Sequence, residues 1–260
     1  MKTGHIRVDG DGTIKTVTIA NEAKRNALSA DMWRHLGEVF EELSAADTVR
    51  CIVLRGEGDR AFASGADIST FEKERHDLAS GIAFGRIAEK TMAALANCRH
   101  PIVAAISGAC IGGGLEVAAF CDIRICGRSA RFGIPAKNLG LTVSLAELPG
   151  LYQVVGAATA LEILLEGRIF GAEEAFLKRL VNRVVADDAV FREAVETAER
   201  IAAGAPLAAR WHKQFVKRMQ QPDPPTAEEI ERSYDCFATE DFKIGTRAFM
   251  EKKQPDFVGR

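Results

Sequence analysis

The chain has 260 residues, with 34 Lys and Arg against 36 Asp and Glu, so its formal charge is -2 at pH 7. That length suits one large domain, or a domain with an appendage, and can bury a sizeable core. The charge balance excludes a globally basic nucleic-acid surface, and no apolar stretch reads as long enough to span a bilayer.

In chain order, a DGDG turn at Asp9–Gly12 precedes a predicted strand, Thr16–Ala20. A helix is predicted from Ser29, with Asp31 in its first turn, through MWRHLGEVFEELSAA. Cys51–Gly56, Pro101–Gly108 and Asp122–Gly127 are short apolar runs rich in β-branched residues, each ending at a glycine, and read as buried strands. Between the first two lies the helical pattern GIAFGRIAEKTMAALANC. After Ala157 the predicted elements are helical: TALEILLEG, GAEEAFLKRL, AVFREAVETAERIAAG and LAARWHKQFVKRM. QQPDPPT interrupts them, and a last helical block runs from Ala227 to about Lys253. The pattern is an α/β body with a helical final third.

The polar N-terminus MKTGHIRVDGDGTI lacks the apolar segment of a signal peptide, so the expected location is cytoplasmic. Six cysteines form no CxxC pair and sit mostly among apolar neighbours, as buried thiols do. The five histidines are scattered, so no metal site is expected, and His76 reads as part of a solvated helix face.

CIGGGLEVAAFCD, Cys110–Asp122, raises the chemical question. The preceding strand, the turn ACIGGG and the helix start LEVAAFC place backbone N–H groups and a positive dipole end at Gly112–Gly114. Such a turn can hold a phosphate, an oxyanion formed during reaction, or simply a tight connection. The spacing of Gly108, Gly112, Gly113 and Gly114 does not match GxGxxG, and no GKS or GKT follows. Glu116 lies in the first helical turn among apolar residues. Desolvation raises the pKa of such a carboxylate while the helix dipole lowers it. A second stretch, AFASGADIST (Ala61–Thr70), follows a strand and has small residues around Gly65. It could present another amide to the same oxygen, with Asp67 as a turn or cap residue.

These two stretches resemble the central motifs of the crotonase family, the enoyl-CoA hydratase/isomerase superfamily. NEAKRNALSADM resembles its N-terminal CoA-contacting segment, and EGRIFGAEEAFLKRLVNRVV and TEDFKIGTRAFMEKKQPDFVGR its later helical segments. The resemblance implies a crotonase-like spiral of ββα turns over residues 1–200, carrying the acyl-CoA site. It implies a C-terminal helical oligomerisation region over residues 201–260, supporting a homotrimer or hexamer. By motif match, the N–H groups of Ala66 and Gly113 would hold the thioester carbonyl oxygen, with Glu116 as acid or base. Lys24, Ala27, Leu28, Ser64, Asp67, Ile68, Gly112 and Lys253 would line the substrate site. Coenzyme A would enter as part of an acyl-CoA thioester substrate, with no separate cofactor, no nucleic acid and no membrane partner.

The sequence departs from the family at two points: an acid is missing, and the loop that follows lacks the glycine-rich PGAGG-like stretch of relatives. Hydratases of the family carry a second glutamate in a motif shaped like FG-x-PE, and here the run is FGIPAKNLG, with Ala136 at that position. The next loop, VSLAELPG (Val143–Gly150), offers Ser144 and Glu147 as polar residues. Three readings follow from one missing acid: an enoyl-CoA hydratase or isomerase acting through Glu116, a decarboxylase or thioester hydrolase on the same fold, and a non-catalytic acyl-CoA-binding protein.

Overall fold

In the computed structural model, which describes residues 4–260, a hairpin opens the fold: β1 (His5–Asp9) pairs antiparallel with β2 (Ile14–Ala20). Helix α1 (Ala30–Ala45) begins where the sequence predicts. The Ser29 hydroxyl accepts the Met32 N–H at 3.3 Å, capping one of the donors left open at a helix start.

The chain then repeats one unit. β3 (Cys51–Gly56) and β4 (Ala61–Ala63) lead to α2 (Phe71–Glu74) and α3 (Leu78–Asn97). β5 (Ile102–Ile106) and β6 (Ala109–Ile111) lead to α4 (Gly113–Ala119). β7 (Ile123–Gly127) and β8 (Arg131–Gly133) lead to α5 (Leu148–Glu166). After these come β9 (Phe170–Gly171), α6 (Ala172–Leu177), β10 (Arg183–Val185), α7 (Val190–Ala202), α8 (Pro206–Arg218), α9 (Ala227–Arg232) and α10 (Glu240–Glu251). In each unit the first strand joins a six-stranded sheet ordered β1-β2-β3-β5-β7-β10. The second joins a four-stranded sheet ordered β4-β6-β8-β9. Strands from successive units pair parallel, so the chain climbs as a spiral of ββα turns.

The apolar runs are continuous because the large sheet is covered on both faces. Ile52, Leu54, Ile102, Ala104 and Ile106 enter the main core. Their alternates Cys51, Val53, Val103 and Ala105 pack with Val190, Ala194 and Ala198 of α7. Helix α8 folds back onto the same body. Lys213 Nζ donates to Asp122 Oδ2 at 2.7 Å and to the His100 carbonyl at 2.8 Å.

The structure corrects several expectations. ACIGGG is not all turn, because Ala109–Ile111 forms β6; three residues of a small sheet leave no periodic signal. The final third is not wholly helical, since β9 and β10 complete the two sheets. The last helical block is two helices, α9 and α10, separated by a 3-10 turn at Asp235–Ala238; the Thr239 hydroxyl restarts the helix by accepting the Phe242 N–H at 3.0 Å. Helix α5 starts at Leu148, well before Ala157, and its 19 residues are long and apolar enough to cross a membrane by length and composition alone. That corrects the expectation of no such stretch. Gly156, at φ 74° and ψ 171°, breaks α5 into two shorter pieces, and Leu151, Ala160 and Ile163 are buried in the core.

Candidate active site

Two strand ends of the small sheet meet where the sequence places the glycines. Gly65 has φ +91° and Gly112 φ +53°, a region that side chains rarely adopt. A Cβ on Gly65 would lie 3.1 Å from the Ile111 carbonyl oxygen and 3.4 Å from the Gly113 nitrogen. The loops therefore touch backbone to backbone. The Leu28 N–H donates to the Gly65 carbonyl at 2.8 Å and the Asp67 N–H to the Leu28 carbonyl at 3.0 Å, which holds Ala66 between them. The N–H groups of Ala66 and Gly113 have no hydrogen-bond partner among the described residues. An unused amide pair at adjoining strand ends is the kind of arrangement that can receive one developing negative charge.

Glu116 stands in the first turn of α4, whose residues from Gly114 to Ala119 are all buried. It is 6% exposed, and one carboxylate oxygen lies 3.7 Å from where a Cβ on Gly113 would sit. Among the described residues it makes no side-chain hydrogen bond or ion pair. Burial pushes its pKa up to about 8; the charge of Glu147 pushes the same way, and Arg75 opposes it. Desolvation thus dominates the balance that the sequence leaves open.

Ala136 opens a 3-10 turn and is half-buried against the main core, so no acid stands there. Glu147, at the start of α5, is close enough for its charge to act on Glu116. Its carboxylate accepts the Ser144 backbone N–H at 3.0 Å. Ser144 thus contributes its amide to this contact, and its side chain is exposed.

Most residues assigned to substrate contact form one patch beside Ala66. The Ser64 N–H donates to the Arg25 carbonyl at 3.1 Å, and the Ser64 hydroxyl to the Lys24 carbonyl at 3.2 Å. Lys24 Nζ pairs with Asp67 Oδ2 at 2.6 Å and donates to the Ser69 hydroxyl at 2.9 Å. Asp67 also caps the 3-10 turn Ile68–Thr70 by accepting the Ser69 N–H. Burial alone would raise its pKa, but the bonds from Lys24 and Ser69 hold it below the ordinary carboxylate value. Ala27 and Leu28 are buried, while Ile68 is exposed. Lys253 is not brought into this patch by any contact among the described residues: its N–H caps α10 through Ala248, and its ammonium pairs with Glu251 at 2.9 Å.

Two residues escaped the sequence reading. Trp33, buried in α1, has its ring against Gly113; a Cβ there would lie 2.8 Å from a ring carbon. Its position on a helix face gives no hint of that. Arg75 lies in FEKERHDLAS, a run that reads as solvated, yet its guanidinium stacks over Phe84 at 3.4 Å and Phe71 at 4.3 Å. Its neighbour His76 is exposed, as expected.

A family model described as enoyl-CoA hydratase/isomerase matches residues 9–260. The short-chain-enoyl-CoA hydratase of Clostridium acetobutylicum is 34% identical over 256 residues, spanning 98% of this chain and 97% of that protein. The crotonyl-CoA hydratase of Syntrophomonas wolfei is 32% identical, spanning 90% of each. A crystal structure described as an enoyl-CoA hydratase/carnithine racemase from Magnetospirillum magneticum superposes with TM-score 0.96 at 44% identity, over 100% of this chain and 97% of that one. With this likeness of sequence and of fold along nearly the whole chain, this chain belongs to the enoyl-CoA hydratase/isomerase family, the crotonase superfamily.

Proposed function

We propose that this acyl-CoA enzyme adds water across the double bond of a 2-enoyl-CoA thioester and runs the reverse dehydration. The observation that carries this reading is the buried, unpaired Glu116 beside the unused Gly113 amide. The thioester carbonyl oxygen lies between the Ala66 and Gly113 N–H groups. As water adds at carbon three, electron density moves to that oxygen, and the two amides stabilise the resulting enolate more than the ground state. Glu116 holds a proton at neutral pH, given its pKa of about 8, and delivers it to carbon two. The Glu147 carboxylate takes the proton of the attacking water in place of the acid missing at Ala136. No separate cofactor enters this chemistry.

A second reading is double-bond isomerisation, favoured by the alanine at position 136. There ionised Glu116 removes a proton from one carbon and returns it to another. The pH profile separates the two: kcat/KM falls above about 8 if Glu116 must donate, and rises through about 8 if it must abstract. The direct test is turnover of crotonyl-CoA against 3-enoyl-CoA and malonyl-type thioesters. Hydration of crotonyl-CoA is expected. Turnover confined to malonyl-type thioesters, or release of free CoA, would replace this reading with the decarboxylase or hydrolase.

The same reading includes homo-oligomerisation as a trimer or hexamer through the helical region of residues 201–260, in the cytoplasm. Exposed apolar side chains such as Val216, Met219, Phe249 and Met250 support it. Light scattering at micromolar concentration is expected to give a multiple of the 28.2 kDa chain mass.

A further inference from the structure

Among the described residues, the guanidinium of Arg75 has no hydrogen-bond or ion-pair partner. It follows α2, directly downstream of the loop that carries Ala66. Its guanidinium is stacked over two rings, at 3.4 Å from the Phe84 centroid and 4.3 Å from that of Phe71. Phe84 is itself buried in α3. These ring contacts hold the group and, among the described residues, leave its N–H donors without a partner. Nε is buried and has no hydrogen-bond partner, and no ion pair forms to any carboxylate among the described residues.

Two of the neighbouring acids have hydrogen-bond partners of their own. The Glu147 carboxylate accepts the Ser144 N–H, and that of Glu74 accepts the Thr70 hydroxyl at 2.6 Å. Glu116 is buried without a partner of its own. All three nevertheless lie within electrostatic reach of Arg75. The guanidinium is therefore a partly desolvated cation whose donors are unmet among the described residues, within electrostatic reach of Glu116. Burying such a group is costly unless an anion meets it.

On the proposed reading, the carbonyl oxygen sits between the Ala66 and Gly113 amides, and Glu116 acts on the acyl carbons next to the carbonyl. A cation within electrostatic reach of Glu116 and Glu147 would then lie near the acyl portion of the substrate. We propose that Arg75 receives a carboxylate carried by the acyl chain, so that the preferred substrate is the CoA thioester of an unsaturated dicarboxylic acid. A planar carboxylate meets the guanidinium edge with two parallel hydrogen bonds, which a neutral alkyl terminus cannot offer. This inference rests on the proposed acyl-CoA chemistry and adds the class of acyl group.

Binding tests it apart from turnover. Calorimetry compares glutaryl-CoA, butyryl-CoA and free CoA on the wild type, Arg75→Gln and Arg75→Lys, with circular dichroism confirming that each variant is folded. The wild type is expected to bind glutaryl-CoA about 10- to 100-fold more tightly than butyryl-CoA, as a charge-assisted pair contributes on that scale. Arg75→Gln should abolish that preference, Arg75→Lys should keep part of it, and free CoA should bind all three alike. In turnover, glutaconyl-CoA should exceed crotonyl-CoA on the wild type, and the glutamine variant should reduce that ratio. Equal affinity of the wild type for the two acyl thioesters overturns the proposal. So does an equal loss for glutaryl-CoA, butyryl-CoA and free CoA, which would place Arg75 against the CoA phosphates. So does an equal loss of turnover on both enoyl thioesters with a moved pH profile, which would make Arg75 a positioning residue for Glu116. Binding of the thioesters without turnover of any would instead count against the proposed hydration and leave the anion preference standing.

Discussion

Glu116 and Glu174 are the same side chain in opposite situations. Glu174, in α6, lies on an exposed network. It accepts from Arg168 with both oxygens and pairs with Lys178 at 3.3 Å, while Arg168 also reaches Glu166 at 2.5 Å and Glu162 at 3.2 Å. The Arg168 hydrogen bonds, with Lys178 adding to them, hold Glu174 down to about 2. Among the described residues Glu116 has no such partner, and burial pushes it up to about 8. A satisfied carboxylate is a fixed negative charge and part of the scaffold. A buried, unpaired one can exchange a proton near neutral pH, which is what acid–base chemistry needs.

The largest effect expected from breaking this contrast is on rate. Glu116→Gln keeps the shape but cannot exchange a proton, so kcat for the best thioester should fall about 10²- to 10⁴-fold, with little change in affinity for a saturated thioester. Stopped-assay kinetics and calorimetry on the same preparation check it, and full activity would make Glu116 structural.

Next in size is Glu147→Gln. It removes a negative charge that holds Glu116 high, so the limb of the pH–kcat/KM profile belonging to Glu116 should move to lower pH. Hydration should fall by roughly 10²-fold or more if Glu147 is the base for water. An unmoved limb would mean that the two carboxylates do not communicate.

The contrast also has a thermodynamic side of opposite sign. Glu116 is raised above its ordinary value of 4.5, so the folded state holds the proton more tightly than the unfolded chain. Its contribution is fully present below about 4.5 and is lost as pH rises through about 8. Melting temperature should therefore decline across that window in the wild type, and Glu116→Gln should flatten the decline by a few degrees. Glu174 is depressed, so its contribution is present above 4.5 and is lost as pH falls through about 2.

The smallest effect expected is that of Glu174→Gln at neutral pH. Surface pairs are screened by solvent and salt, so the melting temperature should drop by no more than a few degrees, with catalysis unchanged. A drop as large as that of a core truncation would show that the Arg168 network carries more of the fold than its exposure implies.

The strands of the large sheet were legible because each is a run of β-branched residues bounded by glycine, as at Cys51–Gly56. Helix α1 was legible because its apolar spacing and its serine cap agree. Gly65 and Gly112 stood out in short motifs, because a turn that needs positive φ demands glycine at fixed places, whereas Ala66, Gly113 and Glu116 were named through the family resemblance those motifs carry. The three-residue strands were not legible, since their pairing is set by partners about twenty or more residues away, such as Ala109 with Arg131. Nor was Arg75: within FEKERHDLAS it is one charge in a charged run, and only folding stacks it on Phe84.

By itself the sequence determined the order of the large-sheet strands and the main helices, the two glycine turns and the identity of the carboxylate in the first turn of α4. These depend on local backbone chemistry, in which a residue's neighbours along the chain decide its options. Only the tertiary structure decided that Gly65 would touch the Gly112–Gly113 turn, that Glu147 would stand near Glu116, and that desolvation would outweigh the dipole. Those outcomes depend on solvent exclusion and on distances between segments remote in the chain, quantities that exist only once the sheets have paired and water has been displaced from between them.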